Sequence, residues 1–297
     1  MTSTHVFDIL FCGNYTKDTI ITPEGSRGVD GGGFNYGAHA AVGLGANVAA
    51  ITRLAAGDSH VIANLNKQGI TVYPTIVPTS THMILDYPTT NPDERILTSP
   101  HTAGSYTLDQ FDGIEAKRLL INSSMREEMP LAVIEGLRPR FEQLVGDLQG
   151  FIRVIAPDRR LVYEQWPEKE AILGLLDVLK TDQVEAEFLT GESDMRRAAR
   201  ALAEFGPKEI VLTHKDGIVV YDGSQFYEAP FHSKKIVGRS GRGDTCIASY
   251  IAKRLTLPPK EAIIWSAAVT SLKMEADSPF LKSVADVEKL IRTKYRA

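Results

Sequence analysis

Cysteine is scarce: Cys12 and Cys246 are the two in 297 residues. They lie far apart in apolar surroundings without C-x-x-C spacing, so they read as buried free thiols of a reducing compartment. Long apolar runs are missing too. No stretch reaches the ~18 residues that suggest a membrane span, and no basic segment followed by an apolar run opens the chain. A cytoplasmic protein is the expectation. Nor is there an excess of positive charge, since 33 Lys+Arg against 37 Asp+Glu gives a net charge of −4. That balance carries no footprint for nucleic acid or an anionic membrane, so any phosphate must be held by local geometry. Repeats, low-complexity tracts and linkers are absent. What remains is an ordinary globular composition, 43% hydrophobic and 24% charged, on a length that suits one large α/β domain or two medium ones.

The chain is organised around the run from Ile236 to Arg254. Gly241 and Gly243 flank Arg242, Asp244 follows, and Ile247, Tyr250, Ile251 and Leu255 then recur at helical spacing. A glycine-rich entry into a buried helix offers free backbone N–H groups and the positive end of a dipole, which suits an anion. An acid there repels phosphate. It makes sense if it takes a proton from a hydroxyl attacking that phosphate. The plainer reading is a glycine-rich turn with Asp244 as a helix cap. This stretch alone leaves both open.

Residues 6–12 form an apolar run ending at Gly13, as expected of a buried parallel strand, and Asp18 follows where ligands of open α/β sheets are met. Gly31, Gly32 and Gly33 precede an Ala-rich helix with Asn35 near its start and Gly45 after its end. The run is not G-x-G-x-x-G, because Tyr36 stands where the third glycine would fall, which disfavours a dinucleotide site. Residues 47–54 read as a strand and 61–68 as a helix. Residues 71–77 and 82–87 alternate as strands, 88–93 form a turn-rich loop, and 94–98 return as a strand. With 16–27 these pieces predict a small antiparallel sheet apart from the core, or a plain hairpin excursion. Strands at 118–122, 141–147, 209–213 and 218–221 and helices at 130–138 and 261–274 complete the pattern. Such alternation favours a mostly parallel sheet with helices on both faces.

These stretches, in this order, resemble the ribokinase-like (pfkB) carbohydrate kinases over roughly residues 6–290. Ser240 to Thr245 is similar to the family's T-G-A-G-D-T, with Arg242 for the small Ala and Gly238 where Asp is usual. Asp30 to Gly37 is similar to G-G-x-x-x-N-x-A, with Asp30 for the first Gly and Gly37 for the Ala. Gly13 to Asp18 fits G-x-x-x-x-D, and Ala55 to Asp58 a short Gly-Asp turn. Asp182 to Gly191 resembles N-x-x-E-A-x-x-L-T-G, with Asp182 for Asn. After Thr213, Lys215 stands at the first glycine of T-x-G-x-x-G and Gly217 comes one residue early.

The resemblance implies an ATP-dependent, Mg²⁺-requiring kinase with Asp244 as base and backbone amides of Gly241, Arg242 and Gly243 as an anion hole. It implies acceptor contacts from Asp18, Gly31, Gly32 and Asn35, nucleotide contacts from Asp182, Thr213, Lys215 and Gly217, and a magnesium shell ordered through water by Glu185. It also implies one ribokinase-like domain over 1–297, with a lid from about 14–30 and 71–104, and leaves a homodimer through that lid open. The partners implied are a small polyol and a nucleotide. Plainer readings stand beside these: a solvated loop acid for Asp18, a first-turn helix acid for Glu185, and a simple hairpin at 213–217. The segments Asp147 to Arg153, Leu179 to Glu185 and Ala229 to Phe231 are similar to those of the myo-inositol kinase branch, which makes the expected acceptor an inositol-like cyclitol, against ribose, fructose or a nucleoside. The alternatives are a nucleoside kinase of the same family and a ligand-binding relative whose catalysis is impaired by the Gly238, Arg242, Asp182 and Lys215 departures. The tripeptide Arg242-Gly243-Asp244 would suit an adhesion protein only on an exposed loop, and here it opens a buried helix.

Overall fold

Nine strands of the computed structural model, which describes residues 6–89 and 94–295, form one sheet. In order across it run Phe226–Pro230, Gly217–Tyr221, Glu209–Thr213, Val178–Asp182, Gln143–Asp147, Ala116–Ile121, Phe7–Cys12, Val48–Ala55 and Thr71–Val77. Neighbours from Glu209–Thr213 to Thr71–Val77 are parallel, and the strands at the other end are antiparallel. In Phe7–Cys12, Ile9 and Phe11 face one layer of helices while Leu10 and Cys12 face the other. A strand covered on both faces has no solvent side, so its sequence is almost uniformly apolar. Gly33–Gly43, Arg242–Lys253, Pro259–Met274 and Val284–Lys294 cover the first face, and Leu131–Leu137, Gln183–Thr190 and Met195–Ala203 the second. Cys12 and Cys246 are buried and unpaired with each other.

From Phe7–Cys12 the chain builds one side of the sheet, then crosses to build the other. Such a switch point leaves a crevice beyond the carboxyl ends of the strands. Gly13 and Asn122 follow the two strands that flank it, and a Cβ on Gly13 would come 2.6 Å from Asn122 O.

A second sheet runs in the order Gly25–Asp30, Thr16–Thr22, Thr81–Asp86, Ile96–His101 and buries Ile20, Met83 and Leu85 with Met125. It is mixed rather than antiparallel throughout, because Thr16–Thr22 and Thr81–Asp86 run parallel. Between those two strands the chain traverses the large sheet, and a long crossover is what parallel pairing requires. The expectation that 71–77 belongs to the small sheet is corrected as well. Thr71–Val77 forms the edge of the large sheet, parallel to Val48–Ala55, with His60–Lys67 as the crossover. Tyr73 packs edge-on against Phe7 at 6.2 Å, which ties it to the main core. Its alternation fits any half-buried strand, so periodicity could not say which sheet it joins. Of the expected 88–93 loop, residues 90–93 lie outside the described residues. Among the described residues no helix is long and apolar enough to cross a membrane.

Candidate active site

The Arg242–Lys253 helix starts inside the crevice. Gly241 caps it in the left-handed region at φ 70°, and a side chain there would collide with the Tyr36 ring. The Gly33–Gly43 helix begins beside it, after Gly32 at φ 98°. Asp244 stands where these two helix starts meet, half-buried, and the Asn122 amide donates to its Oδ1 at 3.4 Å. A Cβ on Gly33 would lie 2.5 Å from that same Oδ1. Burial pushes the Asp244 carboxyl above its ordinary range, while the charges of Lys180, Arg153 and Lys273 pull it back. A carboxylate with raised proton affinity is suited to general-base work.

Next to Asp244 lies a buried cluster at the ends of neighbouring strands. Lys180 Nζ donates to Asp147 Oδ1 at 3.1 Å and stands 4.0 Å from Glu185 Oε2. Burial pushes Asp147 up to about 6 and Glu185 up to about 7, with Lys180 opposing both shifts. Burial also works against the Lys180 charge, but Asp147, Glu185, Asp182 and Asp244 outweigh it and the ammonium is held. A Cβ on Gly243 would sit 2.7 Å from Lys180 Nζ, so glycine there lets the ammonium reach the helix start. Asp182 and Glu185 cap their own helix reciprocally: the Asp182 N–H donates to Glu185 Oε2 at 2.9 Å, and the Glu185 N–H to Asp182 Oδ1 at 2.8 Å.

Two spaces meet at Asp244. The larger, about 1130 Å³, is lined by Arg27, Arg153, Lys180, Lys215, Arg239 and Arg242 among others. The smaller, about 120 Å³, is lined by Asp18, Gly32, Tyr36, Leu85 and Leu97 among others. Gly241 and Asp244 belong to both. Burial first, then the nearby Asp244 and Asp30, push Asp18 up to about 7 against the Thr16 hydroxyl and Arg95. Its Oδ1 is buried and has no hydrogen-bond partner among the described residues. Such an atom calls for a donor from a ligand.

Residues 10–279 match the family described as pfkB family carbohydrate kinase. The chain belongs to that family. This pfkB kinase is therefore a phosphotransferase acting on a hydroxyl, with a ribokinase-like fold. It is 34% identical, with a TM-score of 0.88 over 95% of this chain and 99% of the other, to a pyrophosphate-dependent kinase of the ribokinase family solved with a pyrophosphate analogue and myo-inositol. A cytidine kinase of Thermococcus kodakarensis is 24% identical over 262 residues, which is 83% of this chain and 88% of that one. Arabidopsis thaliana ribokinase, solved with ribose and ATP, shares the fold at a TM-score of 0.76 and 16% identity, over 97% of this chain and 99% of its own.

The structure brings most of the sequence-predicted residues of this pfkB kinase to the crevice. Gly241, Arg242, Gly243 and Asp244 line the larger space with Asp182, Glu185, Thr213 and Lys215, while Asp18 and Gly32 line the smaller. Gly31, expected to contact the acceptor, lines neither space: its N–H donates to Thr16 O at 2.8 Å, and it sits behind Asp18, where any side chain would displace the Asp18 carboxyl and the Thr16 hydroxyl. Three further residues differ from the expectation. Asn35 lines neither space, and its Nδ2 donates to Asp30 O at 3.1 Å. The Arg242 N–H already donates to Arg239 O at 3.1 Å, so it is not an open donor of the loop. Gly217 is also outside both spaces, and a Cβ on it would meet Ala229 O at 2.5 Å across the hairpin. Strand crowding accounts for that glycine. Sequence reading passed over Lys180, Asp147, Asn122, Arg153 and Gly33. For Lys180 a signal was present, since a lysine inside a doubly covered strand is almost never buried without partners.

Proposed function

We propose that this pfkB kinase transfers a phosphoryl group from a phosphoanhydride to one hydroxyl of a single-ring cyclitol, inositol-like in size and polarity. The observation that carries it is the position of Asp244, at the junction of a small polar pocket and a large cation-lined cleft. An acceptor hydroxyl held by Asp18 would face Asp244, which takes its proton as the oxygen attacks phosphorus. The Gly241 and Gly243 amides, the helix start and Lys180 stand where charge develops on the transferred group. The small pocket supports a single ring over a nucleoside, and the myo-inositol bound by the 34% identical relative supports a cyclitol.

For the donor, inorganic pyrophosphate is our first reading. The relative that is 34% identical is named pyrophosphate-dependent. The exposed Lys215 and the inward-packed Gly217 leave the 213–217 turn poor in the glycines that would cradle a nucleotide. ATP is the second reading, supported by exposed Val184, Ile236 and Val237 on the cleft wall, which offer a base an apolar surface. A magnesium ion fits either donor electrostatically, because the charges of Asp147, Glu185, Asp182 and Asp244 all act on the single ammonium of Lys180, which leaves acid in excess at the strand ends. Among the described residues no three acids or His/Cys side chains converge to hold a metal directly, so Glu185 and Asp147 would hold it through water. Bound there, it would supply positive charge to the phosphates.

We also place the small sheet as the lid over the acceptor, since Leu85 and Leu97 form a wall of that pocket. Its exposed edge strand Gly25–Asp30 supports pairing of two copies through the lid. The test is a turnover screen of inositols, pentoses, hexoses and nucleosides, each with pyrophosphate or ATP and magnesium, read by ³¹P NMR. Phosphorylation of an inositol is expected; transfer to cytidine or ribose alone would overturn the acceptor reading.

A further inference from the structure

Lys273 lies near the carboxyl end of the Pro259–Met274 helix and is 2% exposed, yet among the described residues no acid is close enough to form an ion pair with it. Its ammonium instead donates to the backbone carbonyls of Ser240, at short range, and of Gly238 at 3.4 Å. Both carbonyls belong to the loop that enters the Arg242–Lys253 helix. The Tyr36 ring lies 5.2 Å beneath the ammonium, and that same ring closes against the α-carbon of Gly241. The loop is further tied to the end of the Pro259–Met274 helix, for the Val237 N–H donates to Met274 O at 2.8 Å. A Cβ on Gly238 would come within 2.7 Å of Asp277 Oδ1 and 3.1 Å of Ala276 O.

We infer that Lys273 is the positioning residue of the anion-binding loop, a cation built into the chain that gathers the Gly238 and Ser240 carbonyls. The peptide plane makes the consequence directional. Across a trans peptide the carbonyl and the following N–H point opposite ways. Drawing the Ser240 carbonyl down onto Lys273 turns the Gly241 N–H up toward the cleft that Gly241 lines. Carbonyls crowded on one side of a loop repel each other unless a cation sits among them, and a lysine fixed in the neighbouring helix supplies one without recruiting it from solvent. Burial pushes Lys273 down to about 8, while Asp277 and Asp244 pull it back; the Tyr36 phenol also faces it, and Asp277 is paired with Arg27. The stretch also explains Gly238: the space a side chain would take is filled by the 276–277 segment.

The inference deepens the proposed phosphoryl transfer and rests on it for the loop's purpose. Its test reads the loop itself, so it does not depend on turnover. Amide hydrogen exchange is followed in the wild-type chain, in Lys273→Met and in Lys273→Gln, with sodium or ammonium chloride at equal ionic strength. Exchange at the 239–243 amides should accelerate about tenfold or more in Lys273→Met, as local opening becomes cheaper. Ammonium should slow it again by entering the vacated position, and the wild type should respond to neither salt. Lys273→Gln, which keeps N–H donors without the charge, provides the reading if Lys273→Met does not fold. Unchanged loop exchange in a folded variant overturns the inference. So does acceleration spread over the whole 259–274 helix without ammonium rescue, which marks a purely structural lysine.

Discussion

Gly33 and Asp244 share one space: a methyl group on Gly33 would stand 2.5 Å from Asp244 Oδ1. The start of one helix thus reserves the position in which the carboxylate of another can meet a hydroxyl. Gly33→Ala should leave folding intact and lower kcat about 100-fold, the scale expected when a reacting group is displaced by roughly an ångström. Gly57→Ala is the control, since nothing lies within 4 Å of a Cβ there. Equal kcat in the two variants would show that Gly33 does not set the position of Asp244.

Asp18→Ala should weaken acceptor binding by about 1.5–3 kcal/mol, the usual loss for a hydrogen bond to a charged group, and leave donor affinity nearly unchanged. The wild type adds a pH signature. With the Asp18 carboxyl pushed up to about 7, acceptor affinity should rise as pH increases through that value and the carboxylate becomes available. Calorimetry at pH 6 and 8 on both proteins checks this; a pH-dependent affinity that survives in Asp18→Ala would assign the titration to another group.

The glycines and acid of 238–244 were legible because they are adjacent in sequence and their chemistry is local. Lys180 with Asp147, and Gly33 with Asp244, were not. Parallel strands deliver residues 33, 122, 147, 180 and 244 to one crevice from remote positions, and no periodicity records which strand ends will be neighbours. The same limit misplaced Thr71–Val77, whose alternation encodes a half-buried strand but not the sheet it joins. Gly217 misled for a different reason. A glycine needed for close strand packing looks the same in sequence as one needed for phosphate.

Stability should carry the imprint of the buried acids. Glu128 is pushed up to about 8, and Asp18 and Glu185 to about 7, each chiefly by burial. The folded ligand-free protein therefore binds more protons than the unfolded chain near neutrality, and protonation favours the native state. The melting temperature should rise as pH falls from about 7.5 to about 6.5; above that window Lys273, pushed down to about 8, opposes the trend, and below it His39, lowered by burial, does. Scanning calorimetry across that window tests it, and a melting temperature that falls steadily over the same interval would show that these carboxyls are solvated.

The most direct measurement is steady-state phosphoryl transfer to an inositol by the wild type and by Asp244→Asn, with pyrophosphate or ATP as donor. The substitution keeps the size of the side chain but removes the proton acceptor. The predicted result is a loss of roughly 10²–10⁴-fold in kcat with the melting temperature and donor affinity nearly unchanged. Turnover by Asp244→Asn within a few-fold of wild type would contradict the account.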